Sequence, residues 1–219
     1  EGGFVPAPIE WVKAVRKICD EHGILMICDE VQCGWARSGK MFASQYFAEA
    51  GAAPDIMSTA KSIAGGLPLS AVTARAEIMD AVPGGTIGGT YGANAVSAAS
   101  ALKVVEVMER DDYPAKAMHI ADVATKAFNE WKEKYECVGD VRGLGAMIGI
   151  EFVKDKATKE PDAALVNAIV QEAMNNGLML EAAGTYGNVI RFLCPLCVTD
   201  AQLNAGLEIL ENAIKTCSK

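Results

Sequence analysis

Apolar residues at Trp11, Val12, Val15, Ile18 and Cys19 recur three and four positions apart, which predicts a helix over residues 9–21 behind Pro6 and Pro8. Gly23 is placed to stop it. Residues 24–28 break the rhythm: Ile-Leu-Met-Ile-Cys is wholly apolar, as expected of a strand covered on both faces of a parallel sheet. Residues 56–59 and 69–73 predict further strands, with the turn Gly65-Gly66 between them. A helix rich in small residues follows over 93–109, and Pro114 opens another that runs to about residue 135. The texture then changes. Residues 138–144 and 146–152 predict two strands joined around Gly145, residues 161–176 a helix ended before Gly177, and residues 189–193 a strand. Thr199-Asp200-Ala201-Gln202 is a capping box for a last helix to about residue 215.

This order divides the chain. Residues 1–110 alternate helix and strand and predict an α/β layer with a mostly parallel sheet; residues 111–135 form a connecting helix; residues 136–219 form a smaller α+β domain. Composition adds constraints. At 219 residues, 51% apolar and 22% charged, the chain can bury a core. A net charge of -8 argues against nucleic acid or an anionic membrane as partner. No apolar run reaches the roughly 20 residues of a membrane span. The chain opens on Glu1-Gly2-Gly3 without an initiator Met and is expected to lack an N-terminal part. Its seven cysteines lie mostly in apolar runs, as reduced thiols of a cytoplasmic enzyme would. Cys194 and Cys197 have CxxC spacing, but His22 and His119 complete no matching ligand set; buried thiols, and no metal, are expected.

Two segments can carry chemistry. The apolar run 24–28 ends in Asp29-Glu30, and parallel sheets bind ligands beyond the carboxyl ends of their strands. The same string suits an ATPase strand whose aspartate serves Mg²⁺, or a plain strand end with solvated acids. The second segment is Asp55-Ile56-Met57-Ser58-Thr59-Ala60-Lys61, followed by Ser62-Ile63-Ala64-Gly65-Gly66. A lysine directly after an apolar strand is expected to be buried, and burial lowers a lysine's pKa toward the neutral amine that Schiff-base chemistry needs. The phosphate loop GxxxxGK[ST] of the ATPase alternative does not occur in the chain. Taken together, a lysine and an aspartate at neighbouring strand ends suit a pyridoxal ring: an amine for its aldehyde, a carboxylate for its ring nitrogen.

Asp29-Glu30-Val31-Gln32 with Gly34 and Arg37-Ser38-Gly39, and then Ala60-Lys61-Ser62-Ile63-Ala64-Gly65-Gly66-Leu67-Pro68-Leu69, resemble the signature of class III (ω-amino acid) aminotransferases. Gly89-Thr90-Tyr91-Gly92-Ala93-Asn94 and Gly139-Asp140-Val141-Arg142-Gly143-Leu144-Gly145 resemble that family's later motifs, in the same order. Glu1-Gly2-Gly3-Phe4, Val189-Ile190-Arg191 and Pro195-Leu196 resemble most the family's bacterial 4-aminobutyrate branch. The resemblance implies a fold-type-I pyridoxal-phosphate-dependent transferase, with part of the large domain and the C-terminal small domain present. It implies transfer of an amino group from 4-aminobutyrate, or a similar ω-amino compound, to 2-oxoglutarate, in a homodimer or higher homo-oligomer. Lys61 would hold pyridoxal 5'-phosphate as a Schiff base and move the proton. Asp29 would pair with the pyridine nitrogen, Gln32 would bond near the phenolic oxygen, and Thr90 would bind the cofactor phosphate of the partner subunit. Arg191 would bind a substrate carboxylate, with Glu1 as its switchable counter-charge.

Some positions depart from the pattern: Cys33 after Gln32, Trp35-Ala36, the order Gly92-Ala93-Asn94, and Cys194 with Cys197. None touches Lys61 or Asp29, but they bear on substrate choice, for which ornithine, acetylornithine or a diamine are the alternatives within the family. A nucleotide-binding ATPase module and a non-catalytic relic are the alternatives outside it.

Overall fold

The computed structural model describes residues 1–86 and 88–218, which pack as two compact units: Ala7–Pro114, and Glu1–Pro6 together with Ala115–Lys219. In the first unit the order is α1 (Ile9–His22), β1 (Ile27–Asp29), α2 (Ser44–Glu49), β2 (Ile56–Thr59), a 3-10 turn (Lys61–Ala64), β3 (Ala71–Ala74), α3 (Ala76–Met79) and α4 (Ala95–Arg110). From the unit boundary onward come α5 (Tyr113–Lys134), β4 (Val138–Leu144), β5 (Met147–Phe152), α6 (Ala163–Asn175), β6 (Glu181–Ala183), β7 (Val189–Phe192) and α7 (Asp200–Cys217). The architecture is α/β with mixed sheets. Among the described residues no helix is long and apolar enough to cross a membrane.

The first unit holds a three-stranded sheet in the order β1-β2-β3, with β1 and β2 parallel and β2 and β3 antiparallel. Gly23, at φ 61°, ends α1 as expected, and the Ile24 amide then donates to the Cys19 carbonyl at 2.8 Å. That bond shortens the expected strand. Residues 24–26 leave the helix cap, and pairing starts only at Ile27 opposite Ile56. The expectation of a strand covered on both faces is also corrected: Ile24 and Ile27 are 54% and 62% exposed, because this chain lays no second layer over them. Its core is correspondingly thin, centred on Val12, Ala36, Ile63, Ala64 and Met108.

Asp55 ties this unit together. Its carboxylate accepts from the Met26 amide at 2.8 Å and from Arg16 at 2.7 Å, and it faces Arg75 at 3.2 Å. The Met26 amide and the Arg16 guanidinium hold its pKa below the usual carboxylate range. Glu30, 2% exposed, is likewise structural: it accepts from the amides of Ala43 at 3.1 Å and Ser44 at 2.5 Å, which open α2. The helix expected from residue 93 begins at Ala95 because the Asn94 side chain caps it, accepting from the Val96 and Ser97 amides.

The second unit has a four-stranded sheet in the order β4-β5-β7-β6, antiparallel throughout. Ile120, Ala124, Phe128 and Trp131 form the buried stripe of α5. Phe128 packs on Trp131 and, edge-on, on Phe192, with ring centroids 5.0 and 5.1 Å apart. Ile148, Ile150, Ile190, Leu210 and Ile214 complete a dense core. The predicted capping box opens α7: the Thr199 hydroxyl accepts from the Gln202 amide. In the β4–β5 ribbon Gly143 has no substitute, since a Cβ there would lie 2.3 Å from the Met147 carbonyl oxygen. Residues 1–4 lie along this sheet. The Glu1 carbonyl accepts from the Gly184 amide at 3.0 Å, the Gly3 carbonyl from Arg142 Nε at 2.9 Å, and Phe4 is buried.

Candidate active site

At the carboxyl ends of the parallel pair β1 and β2, the register sets Asp29 opposite Ser58. Three residues further along, β2 has ended in buried Thr59 and the chain turns at Lys61 with φ of 49°. Such left-handed backbone in a residue with a Cβ is uncommon and is held only where the surroundings dictate it. Here the following turn is anchored: the Ala64 carbonyl accepts from Ser100 Oγ of α4 at 2.9 Å, and Gly65 takes the left-handed conformation that closes it. Lys61 Nζ donates to Gln32 Oε1 at 2.5 Å. Asp29 Oδ1 accepts from the Val31 amide at 2.9 Å, which fixes the carboxylate and leaves its other oxygen for a ligand. Lys61, Ser62, Gly65, Gly66, Ser100 and Lys103 contribute to the wall of an open cleft of about 540 Å³.

The structure therefore brings Lys61 and Gln32 into direct contact and sets Asp29 at the adjacent strand end. It does not bury Lys61. The expectation of an amine enclosed by its own chain is corrected: Lys61 and Asp29 are both exposed, Gln32 half-buried. Thr90 lies exposed in a turn and makes no described hydrogen bond to these three. Beneath them sit two thiols. Burial, then Glu30 and Cys33, pushes Cys28 up to about 11. Burial, then Glu30 and Asp29, also pushes Cys33 up, against the opposing pull of Lys61. Both shifts run away from the reactive thiolate form. Cys194 and Cys197 fall in the loop between β7 and α7, and Cys197 is exposed rather than buried, because the turn at 196–197 carries it away from the sheet.

A second group forms on the four-stranded sheet. Arg191 on β7 is 18% exposed and pairs directly with Glu181 of β6, its register partner. Glu1 Oε1 lies 3.6 Å from Arg191 Nη1, brought there by the docking of residues 1–4. Arg191 Nε is buried without a hydrogen-bond partner. The expected meeting of Glu1 and Arg191 is thus present within one unit, while Glu181 was not foreseen. A three-residue strand reading Glu-Ala-Ala carries neither alternation nor β-branched residues, so β6 gave no sequence signal.

One unit thus carries an amine and a carboxylate at the ends of parallel strands, and the other carries an arginine among acids on its own sheet. The chain belongs to the class-III aminotransferases: the model of that family, Aminotransferase class-III, matches residues 1–214. Members of this family depend on pyridoxal phosphate. The chain is 47% identical to a 5-aminovalerate aminotransferase, DavT, of Pseudomonas putida, over 96% of its own length and 49% of the relative's. It is 46% identical to 4-aminobutyrate aminotransferase GabT of Escherichia coli, again over 96% and 49%. Among solved structures, an aminotransferase of Bacillus anthracis superimposes with a TM-score of 0.89 at 32% identity, covering 98% of this chain and 50% of that one. A taurine:2-oxoglutarate aminotransferase of Bifidobacterium kashiwanohense, in complex with PLP and glutamate, gives 0.89 at 29%, covering 99% and 49%. The chain spans about half the length of the curated relatives it matches.

Proposed function

We propose that the protein is a pyridoxal-phosphate-dependent transaminase that moves an amino group from 4-aminobutyrate, or a similar ω-amino monocarboxylate, to 2-oxoglutarate. The observation that carries the reading is Lys61 Nζ, held by Gln32 at the carboxyl end of β2 beside the strand that ends in Asp29. The donor set fits the cofactor: a primary amine for its aldehyde, a carboxylate for its ring nitrogen, and an amide for its phenolic oxygen. When bound, the cofactor supplies an electron sink for the carbon that loses its proton. Lys61, as the amine beside that carbon, would take the proton from the substrate and hold it for return. Asp29 keeps the ring nitrogen protonated, and Gln32 orients both the amine and the ring. Thr90 serves the cofactor phosphate of the partner subunit in a homodimer.

Residues 1–110 then form part of the large cofactor domain, residues 111–135 the connector and residues 136–219 the small domain. Arg191 binds a substrate carboxylate, and Glu1 neutralises it when the substrate has only one. The support for 4-aminobutyrate is the Glu1–Arg191 pair together with the relative of that name. The 47% identical relative favours 5-aminovalerate as a second reading, one methylene longer and otherwise the same chemistry.

The test is direct. The complete protein with pyridoxal phosphate should show a visible absorption band that borohydride removes, leaving the cofactor's mass on the peptide containing Lys61. It should form glutamate from 2-oxoglutarate with 4-aminobutyrate or 5-aminovalerate as donor. Cofactor mass on another lysine, or no glutamate from either donor, refutes the assignment.

A further inference from the structure

We propose that Glu181 is a specificity-determining residue: a fixed counter-charge that holds Arg191 across the β6–β7 pair and biases the site against dicarboxylates. The inference rests on the reading of Arg191 as a substrate-carboxylate site. Glu181 and Arg191 are direct register partners in an antiparallel pair, so their side chains emerge side by side on one face. Both ends of the ion pair are carried on strands, and Glu181 bonds Arg191 Nη2. Glu1 differs. Its carboxylate stands 3.6 Å from Nη1, beyond hydrogen-bond reach. One acid is bonded to the arginine and the other is not.

The consequence follows from charge. Two carboxylates face one guanidinium, so the cluster carries a net negative charge while both acids stay in place. A substrate bearing one remote carboxylate leaves this cluster undisturbed. A dicarboxylate must bring a second carboxylate to it, which requires Glu1 to swing away and the guanidinium to be shared with Glu181. Arg191 Nε is buried, so a substrate carboxylate would have to meet the guanidinium through its Nη atoms, of which Glu181 already engages Nη2. A movable Glu1 alone would leave Arg191 fully available to glutamate. Glu181 keeps it partly neutralised throughout, which weakens dicarboxylate binding and relieves Glu1 of part of its task.

The experiment uses the complete holoenzyme and glutarate as a non-reacting dicarboxylate, titrated by calorimetry into wild type, Glu181→Gln, Glu181→Asp and Arg191→Gln. Removing the charge of Glu181 should tighten glutarate binding roughly two- to fivefold, the scale of a partly exposed charge pair. Glu181→Asp, which keeps the charge, should remain near wild type, and Glu181→Thr replaces the Gln variant if that one folds poorly. Arg191→Gln should weaken glutarate. If Arg191→Gln weakens binding while the neutral variants at 181 leave it unchanged, or lower only the melting temperature, Glu181 is a structural partner and the inference fails alone. If Arg191→Gln itself leaves glutarate affinity unchanged, the carboxylate-site reading has failed.

Discussion

Replacing Asp55 with Asn should loosen the unit Ala7–Pro114 without touching the proposed site. The carboxylate is 8% exposed and receives three donors from separate elements: the Met26 amide that leads into β1, Arg16 of α1, and Arg75 ahead of α3. Asn keeps one acceptor oxygen for Met26 and loses the charge. The Arg16 side chain is 12% exposed, so its bond to Asp55 counts as a hydrogen bond to a charged group, worth about 1.5–3 kcal/mol. Arg75 is 59% exposed and adds at most about 0.5 kcal/mol after solvent screening. Arg16 retains Asp20 as a second partner, which limits the loss. The total is about 1.5–3 kcal/mol. The sign with pH follows from the depressed carboxyl. Its folded pKa lies below its unfolded value of about 3.9, so this stability is present above that value and is lost as pH falls through the folded pKa. Amide hydrogen exchange of residues 27–29 and 56–59, followed by mass spectrometry in urea, reads this unit by itself. A variant within about 0.5 kcal/mol of wild type at neutral pH would refute the argument, as would a gap that does not narrow in acid.

Lys61→Ala should abolish transamination, by at least the ~10²–10⁴ that general acid–base help supplies, while non-covalent cofactor binding persists in equilibrium dialysis. Asp29→Asn should lower turnover severely, because the ring nitrogen would lose the carboxylate proposed to keep it protonated, and single-turnover kinetics would measure it. Gly143→Ala forces a Cβ to 2.3 Å from the Met147 carbonyl oxygen and 2.8 Å from Ile148 Cα, so thermal unfolding should show a loss of about 1–3 kcal/mol. Cys28, pushed up to about 11 by burial, should resist alkylation through the neutral range while exposed Cys197 reacts; quantitative peptide mapping separates the two.

Where sequence reading succeeded, a local rule was strong. The α7 capping box and the Gly23 stop both depend on contacts within a few residues. Residues 24–28 misled because an unbroken apolar run says only that cover is wanted, not that this chain supplies it. The same reason undid the expectation of a buried Lys61: apolar neighbours in sequence do not enclose a side chain that points past the end of a strand into an open cleft. Asp55 and Glu30 escaped notice as structural acids. Their partners are backbone amides and arginines up to 39 positions away, which no spacing rule reaches.

Arg191 shows the same limit at the site itself. Its candidacy came from a motif around residue 191, and its first counter-charge from a motif at the chain's start. Neither motif says how tightly the arginine is held. That depends on register: a shift of β6 by one residue would turn Glu181 to the other face of the sheet and leave Arg191 with Glu1 alone, 3.6 Å away. On the proposed reading of Arg191, its freedom to take a second carboxylate turns on the pairing of a three-residue strand whose sequence announces neither a strand nor a site.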